Sequence, residues 1–358
     1  MLRGNKGEWS ELYAFCYLLQ SGVLKAADKD LNPLEDFYFP VLKIIREEEK
    51  HKPLEYHTGD KIRVYDKDTL IGEFSKESFE SVVSILFNKI PEGKSAFEIE
   101  ETAAFFEEIQ VKKVKADSAH KQDIEIQIHD INTGISPVCG FSIKSYLGAR
   151  PTLINAGRNT NFVFTIENCN DELMERVNEI SSGQKIRDRM AMLLASGCQF
   201  VPESQMISPQ FEENLEFVDS LMPRLLSYAV LRAYIMGSEK KTKRVKEVIA
   251  ELKENNPLNY TNTKMYEYKF KKLLCACALG MTPERHWEGA EDANGGYIVV
   301  KKDGSVVCYH LYNRMDFEQY LLDYTCFDSP STSRYEYMLV YKEGESYKIR
   351  LNLQIRFV

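Results

Sequence analysis

The sequence has no apolar run long enough to span a bilayer; Leu273 to Met281 is among the longest and reads as a buried helix segment. Nor does the N-terminal stretch Met-Leu-Arg-Gly-Asn-Lys-Gly-Glu carry an apolar signal region, which points away from export and toward the cytoplasm. No Cys-x-x-Cys pair occurs among the 8 cysteines, only Cys275 and Cys277 stand close together, and no His or Cys partners lie at zinc spacing. That pattern excludes a zinc site and fits reduced, buried thiols. Positive charge is also short, because 46 Lys and Arg against 54 Asp and Glu leave a net charge of −8. Nucleic-acid binding would therefore rest on a local basic surface and not on the chain as a whole. Two stretches qualify. Lys112-Lys113-Val-Lys115, running to Lys121, leads into an acidic strand, whereas Lys240-Lys241-Thr-Lys243-Arg244-Val-Lys246 reads as a solvated helix face.

What is present describes a globular chain: 358 residues, 44% hydrophobic and 28% charged, enough for one large core or two modest ones. Glu8 to Gln20 reads as a helix with the apolar stripe Trp9, Leu12, Phe15, Cys16 and Leu19. Gly59 to Phe74 reads as a hairpin, Ser75 to Lys89 as a helix capped by Ser75, and Phe97 to Glu108 as a further helix. From Asp171 to about Leu279 the pattern is mainly helical, including Phe211 to Met236 and Asn262 to Ala278. Strand signals then return, with Tyr297–Val300 and Val306–Tyr309 around the turn Lys-Asp-Gly304, and Met338–Tyr341 and Lys348–Phe357 around Glu343-Gly344-Glu345. The class is α/β in the mixed α+β sense. One boundary is suggested near residue 200, giving a region 1–200 and a helical and β-hairpin region 201–358, unless the two form one compact unit.

Two runs carry the chemistry. In Asp123-Ile-Glu-Ile-Gln-Ile-His129, three isoleucines alternate with ionisable or polar groups, the period of a half-buried strand. In Gly140-Phe-Ser-Ile-Lys-Ser145, Phe141 and Ile143 alternate with Ser142 and Lys144, and Asn132-Thr-Gly134 with Pro137 supplies the turn between them. If the strands pair, Asp123 and Lys144 share a face. A carboxylate beside a lysine at the mouth of a sheet suits metal-dependent phosphodiester cleavage, in which a hard cation such as Mg²⁺ sits on the phosphate. Asp123 would be the principal ligand, the Ile143 carbonyl could complete the shell, and Lys144 would orient water or hold developing charge. Glu11 falls at the edge of the helix stripe, where a carboxylate needs a metal or a basic partner; Glu8, one turn earlier, is the weaker candidate. A surface salt pair would be the plain reading of Asp123 and Lys144 alone, and a hydrogen-bonded structural histidine that of His129. The spacing around Lys144 lacks the G-x-x-x-x-G-K of a P-loop, which rejects nucleotide hydrolysis.

At these residues the chain resembles the PD-(D/E)xK nuclease superfamily, and more closely the HpaII family of type II restriction endonucleases. The resemblance is carried by Asn5-Lys-Gly-Glu-Trp-Ser-Glu-Leu-Tyr13, Asp123–Asp130, Gly140–Gly148, Pro151–Ala156, Tyr309–Arg314, Ser329–Arg334 and Leu351–Phe357, and so runs from end to end. It implies a nuclease core with a central mixed sheet flanked by helices. It also implies Mg²⁺-dependent cleavage of double-stranded DNA at a short palindromic site, CCGG or a relative. Asp123 matches the strand carboxylate, Lys144 the lysine, and Glu11 the G-x-x-x-E of the first helix. Ser142 departs from the pattern by standing where the superfamily has Asp or Glu. That leaves the second acidic position to Glu11 or Glu125, or to a single-metal site, with Ser142 bonding a water ligand. A catalytically decayed, sequence-specific DNA-binding protein on the same fold is the alternative that Ser142 motivates. Reading a G·C-rich site asks for arginines on ordered loops: Arg158 in Asn155–Asn161, Arg314 and Arg334. Ser331, Thr332 and Ser333 suit phosphate contacts, and Lys121, Ser145, Asn155 and Asn161 complete the expected DNA surface. The palindrome favours a homodimer, and a restriction enzyme implies a cognate DNA methyltransferase in the same system.

Overall fold

The computed structural model describes residues 1–49, 51–116 and 122–358. They pack as two units: Met1–Pro151 with Ala278–Gly280 and Glu291–Tyr320, and Thr152–Cys277 with Met281–Ala290 and Leu321–Val358. The continuous part of the first unit thus ends at Pro151, ahead of residue 200, because strands from near residue 300 return to finish its sheet.

That sheet contains β1 (Val23–Ala27), β2 (Pro33–Glu49), β3 (Lys52–His57), β4 (Ile62–Asp66), β5 (Thr69–Phe74), β6 (Ile124–Ile128), β7 (Val138–Ser145), β8 (Gly296–Val300) and β9 (Val306–Tyr309). Their order is β1-β9-β8-β7-β6-β2-β3-β4-β5, with β1 also paired to β2, so six strands form a closed circuit. The sheet is mixed: β8 runs parallel to β7 and β9 parallel to β1, while the remaining pairs are antiparallel. Length makes the circuit possible. The 17 residues of β2 pair with β1 as far as Pro40, then with β6 from Val41 onward. A proline, which lacks a ladder donor, sits where the partner changes.

Helix α1 (Lys6–Ser21) is buried on nearly every side, with Tyr13, Ala14 and Leu18 enclosed as well as the expected stripe. A helix apolar all round belongs inside, and α2 (Lys76–Lys89) packs against it. Asn5 and Glu8 start α1 as a capping box: Asn5 Oδ1 accepts from Gly7 N and Glu8 N, and Glu8 Oε2 accepts from Asn5 N at 2.8 Å. Gly22 ends it at φ 69. Ser75 caps α2 as expected, accepting from Ser78 N.

Two expected helices are broken. Phe97–Glu108 opens as a short strand and a 3₁₀ turn before a helix over Ala103–Glu108. Phe211 to Met236 divides into Pro209–Val218 and Met222–Ser238, because Asp219 is extended. The second unit combines helices with a four-stranded sheet of Gln199–Pro202, Asn161–Glu167, Ser346–Asn352 and Val340–Glu343. It also has a three-stranded sheet of Thr152–Ile154, Ile355–Phe357 and Thr325–Phe327. The expected strand Lys348–Phe357 is therefore two strands in different sheets. Among the described residues no helix is long and apolar enough to cross a membrane.

Candidate active site

Strands β6 and β7 pair antiparallel, Ile124 opposite Phe141 and Ile126 opposite Cys139. Asp123 N–H also bonds to the Phe141 carbonyl, at 2.9 Å. Two residues of one strand therefore answer to one of the other, a bulge-like pattern that re-aims a side chain. The Asp123 carboxylate turns across to β7, where its Oδ2 accepts from Ile143 N–H at 2.7 Å and from Ser142 Oγ at 3.1 Å. Ser142 is buried, so the residue in the expected acidic position acts as a brace for Asp123. Both bonds go to one oxygen. Because the Ile143 N–H points toward Asp123, its carbonyl leaves from the same edge of the strand. Lys144 is half-buried, opposite Val299 of β8.

Glu11 of α1 joins this group. Burial, and next the charge of Asp123, push its carboxyl up from 4.5 to about 8, against the opposing pull of Lys115, Lys144 and Arg46. Lys115 Nζ lies 3.9 Å from Glu11 Oε1. Glu11 thus has the basic neighbours expected of a carboxylate at the edge of the stripe, and it lies within the electrostatic reach of Asp123 and Lys144. Glu8, committed to the helix cap, does not join. Glu125 accepts from Gln122 Nε2 at 2.7 Å, Gln127 donates to the Ser136 carbonyl, and His129 Nδ1 pairs with Ser136 Oγ at 3.0 Å. The rest of the acidic row is thus held by local hydrogen bonds.

Sequence reasoning missed a second layer. Arg46 and Glu48, both buried, follow Ile44 on the inward face of β2 and pair with each other. Arg46 Nη2 also donates to the Lys113 and Val114 carbonyls, while Glu48 Oε2 accepts from Lys112 N at 2.8 Å and Lys113 N at 3.2 Å. This clamp fixes the basic run that ends at Lys115 beside Glu11. Alternation of Ile44, Arg46 and Glu48 was the available signal, hidden in a run that looks like a solvated strand end.

Among the described residues no three His, Cys, Asp or Glu side chains gather as a metal site. Asp123, Glu11 and the Ile143 carbonyl offer oxygen donors only. Oxygen donors suit a hard divalent cation that keeps several waters, and a cation beside Glu11 would favour its charged form against the burial that pushes its carboxyl up to about 8.

The expected DNA-contacting residues divide. Arg158 is exposed and paired with Glu336, and Asn155 is exposed. Asn161 is buried, its amide donating to the Tyr335 carbonyl at 2.8 Å and its oxygen accepting from Asn352 at 2.7 Å. It therefore ties the Arg158 loop to the 331–336 segment instead of reaching solvent. In that segment Ser331, Ser333 and Arg334 are exposed and Thr332 is buried. Arg314 stands elsewhere, in the first unit, bound to Glu291 at 2.9 Å and near Glu318 at 3.6 Å. Ser145 Oγ accepts from Leu147 N in a turn, and Lys121 lies outside the described residues. The second basic stretch is not a helix face. Lys240, Lys241 and Lys243 lie between helices and line a pocket with Ser331 and Thr332.

Asp123 stands at the start of β6, Lys144 on β7 and Glu11 on α1, and comparison by sequence gives the class as restriction endonuclease. The family model for the HpaII restriction endonuclease matches residues 5–357, and the chain belongs to that family. The type II restriction enzyme HpaII of Haemophilus parainfluenzae is 37% identical over 363 residues, covering 99% of this chain and 98% of that protein. No solved structure matches the chain.

Proposed function

We propose that this chain is a type II restriction endonuclease with a PD-(D/E)xK core, hydrolysing phosphodiester bonds of double-stranded DNA at a short palindrome, CCGG or a related site. The observation that carries the proposal is the gathering of Glu11, Asp123 and Lys144, with Asp123 braced by Ile143 N–H and Ser142 Oγ. Asp123, Glu11 and the Ile143 carbonyl would hold Mg²⁺, which when bound supplies positive charge on the phosphate and a more acidic water. Lys144 neutralises charge developing on the phosphate oxygens and orients the attacking water. Ser142 keeps the Asp123 carboxylate in one rotamer, and Glu11 provides the second acid that position 142 lacks. This division of labour favours an active enzyme over the binding-only reading. Arg158 and Arg334 are the proposed base readers, with Asn155, Ser331, Thr332 and Ser333 for backbone contacts. In this reading Ser145 flanks the cleaved strand, Arg314 is available only if Glu291 and Glu318 release it, and Asn161 holds the Arg158 loop.

A palindromic site calls for a two-fold homodimer. Restriction inside the cytoplasm also calls for a cognate DNA methyltransferase acting on the same sequence. The test is digestion of unmethylated plasmid and phage DNA by the purified protein with Mg²⁺ or EDTA. Discrete bands with Mg²⁺ alone, a two-chain mass in solution, and protection by cytosine methylation of the mapped site are expected. Asp123→Asn and Lys144→Ala should each cut at a rate lower by roughly 10²-fold or more while still shifting target DNA in a gel. Intact DNA across divalent ions would overturn the proposal in favour of binding alone.

A further inference from the structure

We propose that a basic pocket in the second unit is a seat for phosphate groups of the DNA duplex backbone. The pocket lies between the start of α3 (Lys185–Ala195), the end of α4 (Met222–Ser238) and the Ser329–Thr332 loop. The inference rests on the reading of duplex DNA as substrate and deepens it by assigning residues that the family motifs do not contain. The cavity measures about 630 Å³, and its lining includes Lys185, Arg187, Lys240, Lys241 and Lys243 without one carboxylate. Five cations around one cavity whose lining lacks a carboxylate stand out in a chain of net charge −8, although Arg187 and Lys241 have acidic partners outside that lining.

Local structure accounts for only part of this gathering. Lysines suit the negative C-terminal end of a helix, which explains Lys240 and Lys241 just beyond α4. Their N–H groups close that end, Lys240 onto the Gly237 carbonyl and Lys241 onto that of Met236. Lys185 and Arg187 are the reverse case. They occupy the first turn of α3, the positive end, where cations are disfavoured, and α3 starts without a side-chain cap. That turn also holds Asp188, which pairs with Arg187 and accepts from Ser182 Oγ at 2.6 Å, so Lys185 is the cation left over there.

Internal partners leave positive charge over. Arg187 pairs with Asp188 and Lys241 with Glu239, but among the described residues Lys185 and Lys240 have no ion pair. Lys243 donates to Ser329 Oγ at 2.8 Å; burial pulls its pKa down and only the nearby Asp328 and Cys326 act against this. Its stem packs at Gly237, where a Cβ would come within 3.2 Å of Lys243 Cδ. Ser331 and Thr332 add short hydroxyl donors of the kind that hold phosphate oxygens. Through Tyr335 and Glu336 the same loop continues to Asn161 and Arg158, so the phosphate seat adjoins the proposed base readers.

The test uses full-length protein and fluorescence anisotropy on labelled duplexes, one bearing the mapped site and one of unrelated sequence, without Mg²⁺ and over a salt series. Lys240→Ala/Lys241→Ala and, independently, Lys185→Gln are compared with wild type, with folding checked by circular dichroism. The double variant should bind both duplexes about 10- to 100-fold more weakly, with the slope of log K against log salt reduced by about one for each lost phosphate contact. Lys185→Gln should show a smaller loss of the same kind. Wild-type affinity and slope in both folded variants, or a loss confined to the cognate duplex, would overturn the phosphate seat alone. A wild-type protein that bound neither duplex would instead overturn the reading of duplex DNA as substrate.

Discussion

Glu11 places a protonation equilibrium inside the proposed metal site. In the folded chain its carboxyl is pushed up to about 8, whereas unfolded it returns to about 4.5. Below the lower value it is protonated in both states. Between the two, the unfolded chain releases a proton that the folded chain keeps, so stability falls as pH rises and the loss is complete above the folded value. A cation in the site competes with that proton, and apparent Mg²⁺ affinity should climb with pH toward about 8. Glu11→Gln removes both effects. At pH 8.5 without metal the variant is expected to melt higher than wild type by roughly 2–4 °C, to gain nothing from added Mg²⁺, and to cut poorly. Thermal melts at pH 6 and 8.5 with and without Mg²⁺ check this, and a variant stabilised by Mg²⁺ as strongly as wild type would remove Glu11 from the ligand set. The placement of Asp123, Lys144 and Glu11 was legible because strand and helix periodicity put them on stated faces, while the roles proposed for them rest on the resemblance. The role of Glu8 was legible in Asn5-x-x-Glu8 and overlooked, since a capping box and an acidic site draw on the same residue type.

Among the elements, β6, β7 and the β8–β9 hairpin followed from alternation and turn chemistry. β2 did not, because prolines at 33 and 40 and the charged run from Arg46 disguise a strand that changes partner midway. Only the tertiary pairing explains its pattern. The break at Asp219 was signalled by Pro223, which stands in the first turn of the second helix, and was overlooked. The closest approach to backbone in the sheet is at Gly296, at φ +120, where a Cβ would sit 2.0 Å from the Tyr309 carbonyl oxygen. Gly296→Ala must therefore part β8 from β9, at a cost of about 2 kcal/mol or more. Gly344→Ala is the control: it has positive φ with open space around it, and should lose only about 1 kcal/mol. Denaturant melts of the two variants decide the matter, and equal losses would mean that close approach of the hairpin backbone is not limiting.

At the scale of the whole molecule, the net charge of −8 concealed the basic pocket, since composition averages over surfaces that the fold keeps apart. The unit boundary at Pro151 was concealed for a related reason: the first unit is not contiguous in sequence. Family motifs spread from end to end report membership and say nothing of which segments pack together. That discontinuity bears on how the protein is made. β7 carries Ser142 and Lys144, yet its second neighbour is β8, where Phe141 meets Gly296 and Lys144 meets Val299. At ribosomal speeds of roughly 5–20 residues per second, β7 would wait on the order of ten seconds with one edge bare. Nascent chains stalled at residue 290 should accordingly be cut by protease within β7 and leave plasmid intact, whereas chains released at full length should resist the protease. A stalled chain that already digests DNA would contradict this order of assembly. Under the proposed assignment of the site, late closure of the sheet would work as a translational safety catch, since β7 gains its second neighbour only once most of the chain has been made.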